Sequence, residues 1–428
     1  MTFMPDFKSP QELLEHQLKG LKWTVAHAYN GCESYRAKLD QAGVKPTDIQ
    51  SLDDLSKLPF TTTNDLRDGY PFPLLSVPTN DVVRIHASSG TTGKRKVLCY
   101  TQKDIRDWAD MFARCYEMAG LTKDDRVQIA VGYGVWTAGV GFQLGCENHG
   151  AMAVPIGPGN LDMQCQFLVD FQPTVMCCTS SMALLLSEEI KRRGLTDKHR
   201  VKKIIYGSER TSDAMRQQII DGLGGVELFD IPGLTELYGP GTGLECSAHE
   251  GIHYWADYYI LEILNPVTLE PAEPGELGEM VVTTLRKEAA PLIRYRTRDL
   301  TKLIPEPCSC GCILPRHDRI LGRSDDMIIF RAVNIYPGQI DHVLSNSKGI
   351  GSEYQIVMER GGDGKDYMSI KVERAQNASP DGDADTANTI SKSIKAAVLV
   401  SPQVELVDYG SLPRSDRKSK RVFDNRFE

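Results

Sequence analysis

Val82-Val83-Arg84-Ile85-His86-Ala87 runs directly into Ser88-Ser89-Gly90-Thr91-Thr92-Gly93-Lys94, and the fold turns on this stretch. The first half alternates as a strand does. The second half packs four hydroxyl side chains and two glycines into seven residues, with Arg95 and Lys96 following. Glycines let main-chain N–H groups turn toward a ligand, and hydroxyls add uncharged donors. Such a loop wraps an anion, most simply a phosphate chain, which Lys94 would meet as a mobile point charge. A Walker A loop needs Gly at 88 and a hydroxyl at 95, where the chain has Ser88 and Arg95. The Gly-x-Gly-x-x-Gly frame does not fit this loop either. A polar surface loop is the competing reading. The strand before it favours the first, with the loop leaving a sheet at its ligand-binding end.

At 428 residues the chain exceeds one ordinary core, and two domains of unequal size are expected. Hydrophobic residues at 41% and charged ones at 25% describe a globular protein. The net charge of −8 argues against general nucleic-acid binding. No apolar run is long enough to span a membrane, and the N-terminus lacks the pattern of a signal peptide. Eleven cysteines without such a signal point to a reducing compartment, hence a cytoplasmic protein. A homodimer stays open.

Apolar spacing from Gln11 to Ala42 predicts helix. From about 80 to 300, strand-like runs such as 126–131, 153–156, 174–178 and 203–206 alternate with helical stretches at 105–118, 163–171 and 213–223. That order predicts an α/β fold with substantially parallel sheet. After about 320 the character changes. Tyr354 to Met358 and Tyr367 to Val372 flank the turn-forming run 361–366, a hairpin signal. The stretch 375–388 is expected to be loop, with a helix near 390–398. Boundaries at 1–322 and 323–428 follow, giving a large α/β domain and a small, mobile α+β one.

Three further motifs suggest nucleotide chemistry. Gly207-Ser208-Glu209-Arg210 follows a strand and suits a purine or ribose edge, or an ordinary strand-to-helix turn. Phe229-Asp230-Ile231-Pro232-Gly233-Leu234-Thr235-Glu236 ends in a hydroxyl beside a carboxylate, suited to phosphate and Mg²⁺ or to opening a helix. Tyr295-Arg296-Thr297-Arg298-Asp299 sets an acid among cations, fit for ribose hydroxyls or for surface ion pairs.

In this order the motifs resemble the adenylate-forming superfamily of acyl-CoA synthetases, luciferases and peptide-synthetase adenylation domains. Within it the chain is similar to the phenylacetate–coenzyme A ligases. The similarity is carried by His86 to Lys94, Leu58 to Thr62, Gly132-Tyr133-Gly134, Pro291 to Asp299, Gly322 to Ile329 and Leu412 to Lys418, nearly end to end. It implies an aromatic acid attacking the α-phosphate of Mg·ATP, then coenzyme A displacing AMP. By the same resemblance Ser88, Ser89, Gly90, Thr91, Thr92, Gly93 and Lys94 hold the β- and γ-phosphates. Ser208, Glu209 and Asp230 line the adenine side. Thr235 touches the α-phosphate, and Glu236 binds Mg²⁺. Asp299 and Arg323 hold the ribose, and Lys418 stabilises charge developing on the α-phosphate. Asp325 is the implied hinge of the small domain. Tyr133, Trp136, Ile231 and Pro240 are the implied walls of the acid pocket. In three places the chain departs from the family pattern: Pro232 for an adenine-stacking Tyr, Ala332 for a Gly beside the thiol tunnel, and Arg417 for a Gly before the lysine. Ala332 leaves a carrier-protein thiol or an amine as the alternative acceptor. The three together leave a non-catalytic nucleotide-binding module as the remote one.

Cys308-Ser309-Cys310-Gly311-Cys312 is the densest thiol run, and Cys246, His249 and His253 lie upstream. Four thiols and two imidazoles suffice for a closed tetrahedral Zn²⁺ site, with free thiols as the alternative. The resemblance selects Cys246, His253, Cys308 and Cys310, with His249 and Cys312 in reserve.

Overall fold

The computed structural model describes residues 2–426 apart from 89–94, 210, 212, 327, 332, 377 and 414–420. The periodicity from Gln11 to Ala42 resolves into two helices, Pro10–Gly31 and Glu33–Gln41, broken at Cys32 by extended backbone. Ser9 caps the first, accepting from the Glu12 N–H at 3.3 Å, and Pro10 sits where a helix loses nothing by lacking an N–H.

The centre is a five-stranded parallel sheet in the order Met152–Val154, Arg126–Ala130, Val175–Thr179, Lys203–Gly207, Glu227–Ile231. Its strands are apolar almost throughout because both faces are covered. Alternate residues divide between two cores. Val175, Cys177, Ile205 and Phe229 join the larger cluster beneath the long helix Gln102–Met118. Met176, Cys178, Ile204 and Leu228 pack on helices Leu161–Asp170, Ser180–Arg192 and Asp213–Gly222.

Two antiparallel sheets extend this body. One orders Tyr259–Leu264, Gly278–Thr284, Tyr295–Thr301 and Gly322–Arg323. The other orders Gly243–Glu245, Ile252–Tyr254, Arg316–His317 and Leu303–Ile304. A third core, from Ile328 to Val400, gathers under the sheet Gln403–Val407, Asp366–Arg374, Ile350–Arg360, Val422–Asp424. The expected hairpin is its centre, with Tyr354 opposite Val372 and Arg360 opposite Asp366.

Two expectations are corrected. The strand before the phosphate loop is not part of the parallel sheet: among the described residues Arg84–Ala87 pairs only with Val97–Tyr100, antiparallel, as the two arms of a β-hairpin. Alternation identifies a strand without naming its partner. The helix expected near 390 begins at Asp383 and runs to Val398. Asp383 and Asp385 in its first turn favour the positive helix terminus, which outweighs the polar composition that suggested loop.

Candidate active site and thiol–imidazole cluster

At the phosphate-loop hairpin, Ala87 pairs with Val97 and the Ser88 N–H donates to the Lys96 carbonyl at 3.0 Å. The Ser88 hydroxyl is buried and has no partner among the described residues. Ser89, Gly90, Thr91, Thr92, Gly93 and Lys94 lie outside the described residues, as do Arg210, Ala332, Arg417 and Lys418. Lys96, the last of the basic triplet, reaches across to form an ion pair with Glu236.

Thr235 and Glu236 do not open a helix. They form the tip of a second hairpin, in which Gly233 pairs with Pro240 and Leu234 with Gly239. Gly233 is required there, since a Cβ would lie 2.2 Å from Pro240 Cα. The tip is tied down from below. The Tyr100 hydroxyl donates to the carbonyls of Thr235 at 3.3 Å and Tyr238 at 2.9 Å. Lys287 Nζ donates to the Glu236 carbonyl at 2.8 Å. The Glu236 carboxylate, 5% exposed, also accepts from the Tyr295 hydroxyl at 3.1 Å. Burial and the neighbouring Glu236 charge push that phenol well up.

Strand pairing sets Asp299 opposite Arg323. Arg323 Nη1 donates to Asp299 Oδ1 at 3.1 Å, and the same guanidinium forks onto Asp325. A cavity of about 30 Å³ is lined by Pro232, Gly233 and Leu234 on one side and by Asp299, Tyr259 and Ile320 on another. Thus Asp299 meets the segment leading to Thr235, at the C-terminal edge of the parallel sheet where open α/β sheets bind ligands. Ser208 leaves the end of the adjacent strand with φ of 76°, and Gly207 pairs with Ile231. Glu209 turns toward the helix Ser180–Arg192: its Oε2 accepts from the Ser181 N–H at 3.0 Å and from the Ser181 hydroxyl. Asp230 packs against Glu245, which accepts the Asp230 N–H at 3.0 Å. Burial first, then the Glu245 charge, raises the Asp230 carboxyl to about 7 against the opposing pull of Arg319 and Arg216.

Tyr133 and Trp136 lie in the loop that enters helix Ala138–His149. The Trp136 ring covers Gly132, and the Tyr133 ring covers Gly139. The Tyr133 hydroxyl is buried with no hydrogen-bond partner among the described residues, and burial pushes it up to about 12. Pro240 is held near this loop by its neighbour Gly239, where a Cβ would lie 2.7 Å from the Thr137 side chain, and its carbonyl accepts from Trp108 Nε1 at 3.0 Å. Ile231 is 3% exposed and its side chain belongs to the main core.

Cys246, His253, Cys308 and Cys310 converge, with their ligand atoms all within 4.8 Å of one another. Cys246 and Cys308 Sγ are 3.5 Å apart, and Cys310 Sγ is 3.3 Å from His253 Nε2. The His253 Nδ1–H donates to the Leu314 carbonyl at 2.7 Å, which leaves Nε2 as the donor atom facing the sulfurs. Gly311, at φ of 79°, closes a tight turn in which the Gly311 N–H reaches the Cys308 carbonyl and the Cys312 N–H reaches Cys310 Sγ. The two reserves fall outside. His249 sits 3.5 Å from both Glu227 and Glu245, and the Cys312 side chain packs on the main core.

Sequence reasoning gave no role to Lys96, Tyr295, Tyr100 or Lys287. Lys96 and Lys287 sit in the charged triplets Lys94-Arg95-Lys96 and Arg286-Lys287-Glu288, which resemble any solvated surface. Tyr295 at least opens the Arg-Thr-Arg-Asp motif.

The family model for the AMP-binding enzyme matches residues 9–285, and that for the AMP-binding enzyme C-terminal domain matches residues 332–426. With the parallel sheet and the Lys96–Glu236 contact between the two hairpins, they define an adenylate-forming enzyme. The phenylacetate-coenzyme A ligase of Escherichia coli K12 is 42% identical over 424 residues, covering 98% of this chain and 96% of that protein. The phenylacetate-coenzyme A ligase of Thermus thermophilus is 40% identical over 446 residues, covering 100% of both. The chain belongs to the phenylacetate–coenzyme A ligase family. Among solved structures, 2-hydroxyisobutyryl-CoA ligase in its postadenylation state, in complex with 2-HIB-AMP, superposes with a TM-score of 0.89 at 26% identity, covering 98% of this chain and 91% of that one. The same enzyme in its thioesterification state, at the same identity and coverage, gives 0.72.

Proposed function

We propose that the chain joins an aryl-acetic acid to coenzyme A in two steps. The acid's carboxylate attacks the α-phosphate of ATP, expelling pyrophosphate and leaving an acyl-adenylate. The thiol of coenzyme A then displaces AMP. The observation that carries this reading is the convergence of three segments: the Thr235–Glu236 tip, the strand from Tyr295 to Asp299, and the Lys96 end of the phosphate-loop hairpin.

In this reading the Thr235 hydroxyl meets the α-phosphate and residues 88–94 hold the outer phosphates. Asp299 and Arg323 hold the ribose, and Ser208, Glu209 and Asp230 border the base. Lys418 faces the α-phosphate as charge develops there. Glu236 fits a magnesium ligand: it is an oxygen donor at a hairpin tip, already facing one cation, Lys96. Bound Mg²⁺ would supply charge neutralisation on the triphosphate. Tyr133 and Trp136 would stack on the acid's ring, with Pro240 and the Ile231 main chain nearby.

Residues 1–322 and 323–428 act as two bodies about a hinge at Asp325, a proposal supported by the separate core that begins at Ile328. The thiol–imidazole cluster fits Zn²⁺: it offers three sulfurs and one imidazole nitrogen, the tautomer fixed by Leu314, and the Cys246–Cys308 and Cys310–His253 separations of 3.5 and 3.3 Å suit neighbouring ligands of a tetrahedral site. Four protein donors leave no open position, so the metal would be structural. It would hold the 308–312 turn on the strand Ile252–Tyr254. Among the described residues no helix is long and apolar enough to cross a membrane. The eleven cysteines, all free, suit a cytoplasmic setting.

Incubation with ATP, Mg²⁺, coenzyme A and a panel of aryl, indolyl and aliphatic acids tests the reading. AMP and an acyl-CoA thioester should appear together, with phenylacetate among the better acids. No acid-dependent pyrophosphate release from any member of the panel would sink it.

A further inference from the structure

The hairpin tip that carries Thr235 and Glu236 rests on a buried cation that forms no ion pair among the described residues. Lys287 is 0% exposed, its Nζ donates to the Glu236 carbonyl, and it lies 4.9 and 5.0 Å from the ring centroids of Tyr100 and Tyr238. Asp104, an acid close enough to act on its charge, directs its oxygens to the N–H groups of Thr101, Glu288 and Ala289 instead. Burial lowers the ammonium to about 8, so it is still largely protonated at neutral pH. A neutral side chain of the same length would fill this space without the cost of desolvating a charge. Packing therefore does not explain a lysine here, whereas its contacts do. Tyr100 works on the same turn, holding the carbonyls on either side, at 235 and 238.

We infer that Lys287 is a positioning residue for adenylation. Together with Tyr100 it clamps the main chain from Thr235 to Tyr238, so that the Thr235 hydroxyl and the Glu236 carboxylate stay aimed at the triphosphate and its metal. The inference rests on the proposed role of Glu236. It assigns Lys287 no contact with substrate.

Lys287→Met keeps the length and removes the donor. The measurements are the thermal unfolding transition, the calorimetric Kd for ATP with and without Mg²⁺, and acid-dependent pyrophosphate exchange. A cooperative transition should remain, while the factor by which Mg²⁺ tightens ATP binding shrinks about five-fold and exchange kcat falls about ten-fold. The KM for the acid should stay within about two-fold, because the aryl pocket is untouched. Tyr100→Phe, which spares the ammonium, should show the same pattern at about three-fold. An unchanged Mg²⁺ factor and kcat in folded Lys287→Met would overturn the inference. If that variant does not fold, Tyr100→Phe decides: a wild-type Mg²⁺ factor there overturns it, a reduced one supports it. Glu236→Gln separates the two levels. Retention of the Mg²⁺ factor in Glu236→Gln would remove the metal-ligand reading itself. Loss there with wild-type Lys287→Met removes only the clamp.

Discussion

Arg323 joins Asp299 to Asp325: Nη1 donates to Asp299 Oδ1 at 3.1 Å while Nε and Nη2 fork onto Asp325 at 2.9 and 3.0 Å. The fork is the strong, directional form of a charge-assisted pair. One guanidinium therefore connects the acid proposed for the ribose with the residue proposed for the hinge. Strand pairing between Asp299 and Arg323 supplies the geometry. A nucleotide competing for Asp299 would act on Arg323 directly, and through it on the start of the small domain.

Asp325→Pro tests the hinge. Proline fixes φ near about −65°, removes the N–H and constrains Ser324 before it. Single-turnover thioester formation should slow by roughly ten-fold more than pyrophosphate exchange, because the conformation described here already matches the postadenylation form better than the thioesterification form. Equal losses in both would indicate general damage to the fold, and no loss would place the hinge elsewhere.

Metal analysis of protein purified without added metal should find about one Zn²⁺ per chain. Cys308→Ser with Cys310→Ser should release it and lower the unfolding midpoint by roughly 5 °C or more, since structural zinc binding adds to folding free energy. Cys312→Ser should keep the metal, because that side chain packs on the core and not on the cluster. Full zinc in the double variant would exclude the chosen ligands.

Trp136→Ala removes a ring that covers Gly132 at the proposed acid pocket. The KM for aryl acids should rise about ten-fold and that for ATP should not, since a ring–ring contact adds about 0.5–1.5 kcal/mol to the area it buries. Parallel increases for aryl and short aliphatic acids would show that the loop, and not the ring, was disturbed.

What could be read from the sequence depended on whether a property is local. Val175–Thr179 and its neighbours were legible because two-sided burial writes a continuous apolar run. Arg84–Ala87 was legible as a strand but not as half of an isolated hairpin, since its partner follows the intervening loop. The cysteine run stood out by density. The resemblance chose His253 over His249, but no local pattern encodes the pairing of Ile252–Tyr254 with Arg316–His317 that carries His253 to the thiols. Lys287 was illegible for the opposite reason: its neighbours are charged, and only the fold shows that it is buried while Arg286 reaches out to Asp107.

Asp230 yields a prediction in which the sign can be worked out. Its carboxyl is raised from 3.8 to about 7, by burial first and then by Glu245. A group whose folded pKa exceeds its unfolded value contributes stability that is complete below the unfolded pKa and lost as pH rises through the folded one. Ionised Asp230 is therefore a burden at alkaline pH. Asp230→Asn, which stays neutral, should be more stable than the parent at about pH 8, and its advantage should shrink through 7 and vanish below about pH 4. Thermal midpoints of both proteins across that range would check it. An advantage independent of pH would mean that the carboxyl does not titrate there. Because Asp230 precedes Ile231 and the Pro232 wall of the cavity, the Kd for ATP in the parent should carry the same midpoint near 7. That inflection should be missing in Asp230→Asn; an inflection that survives the substitution belongs to another group.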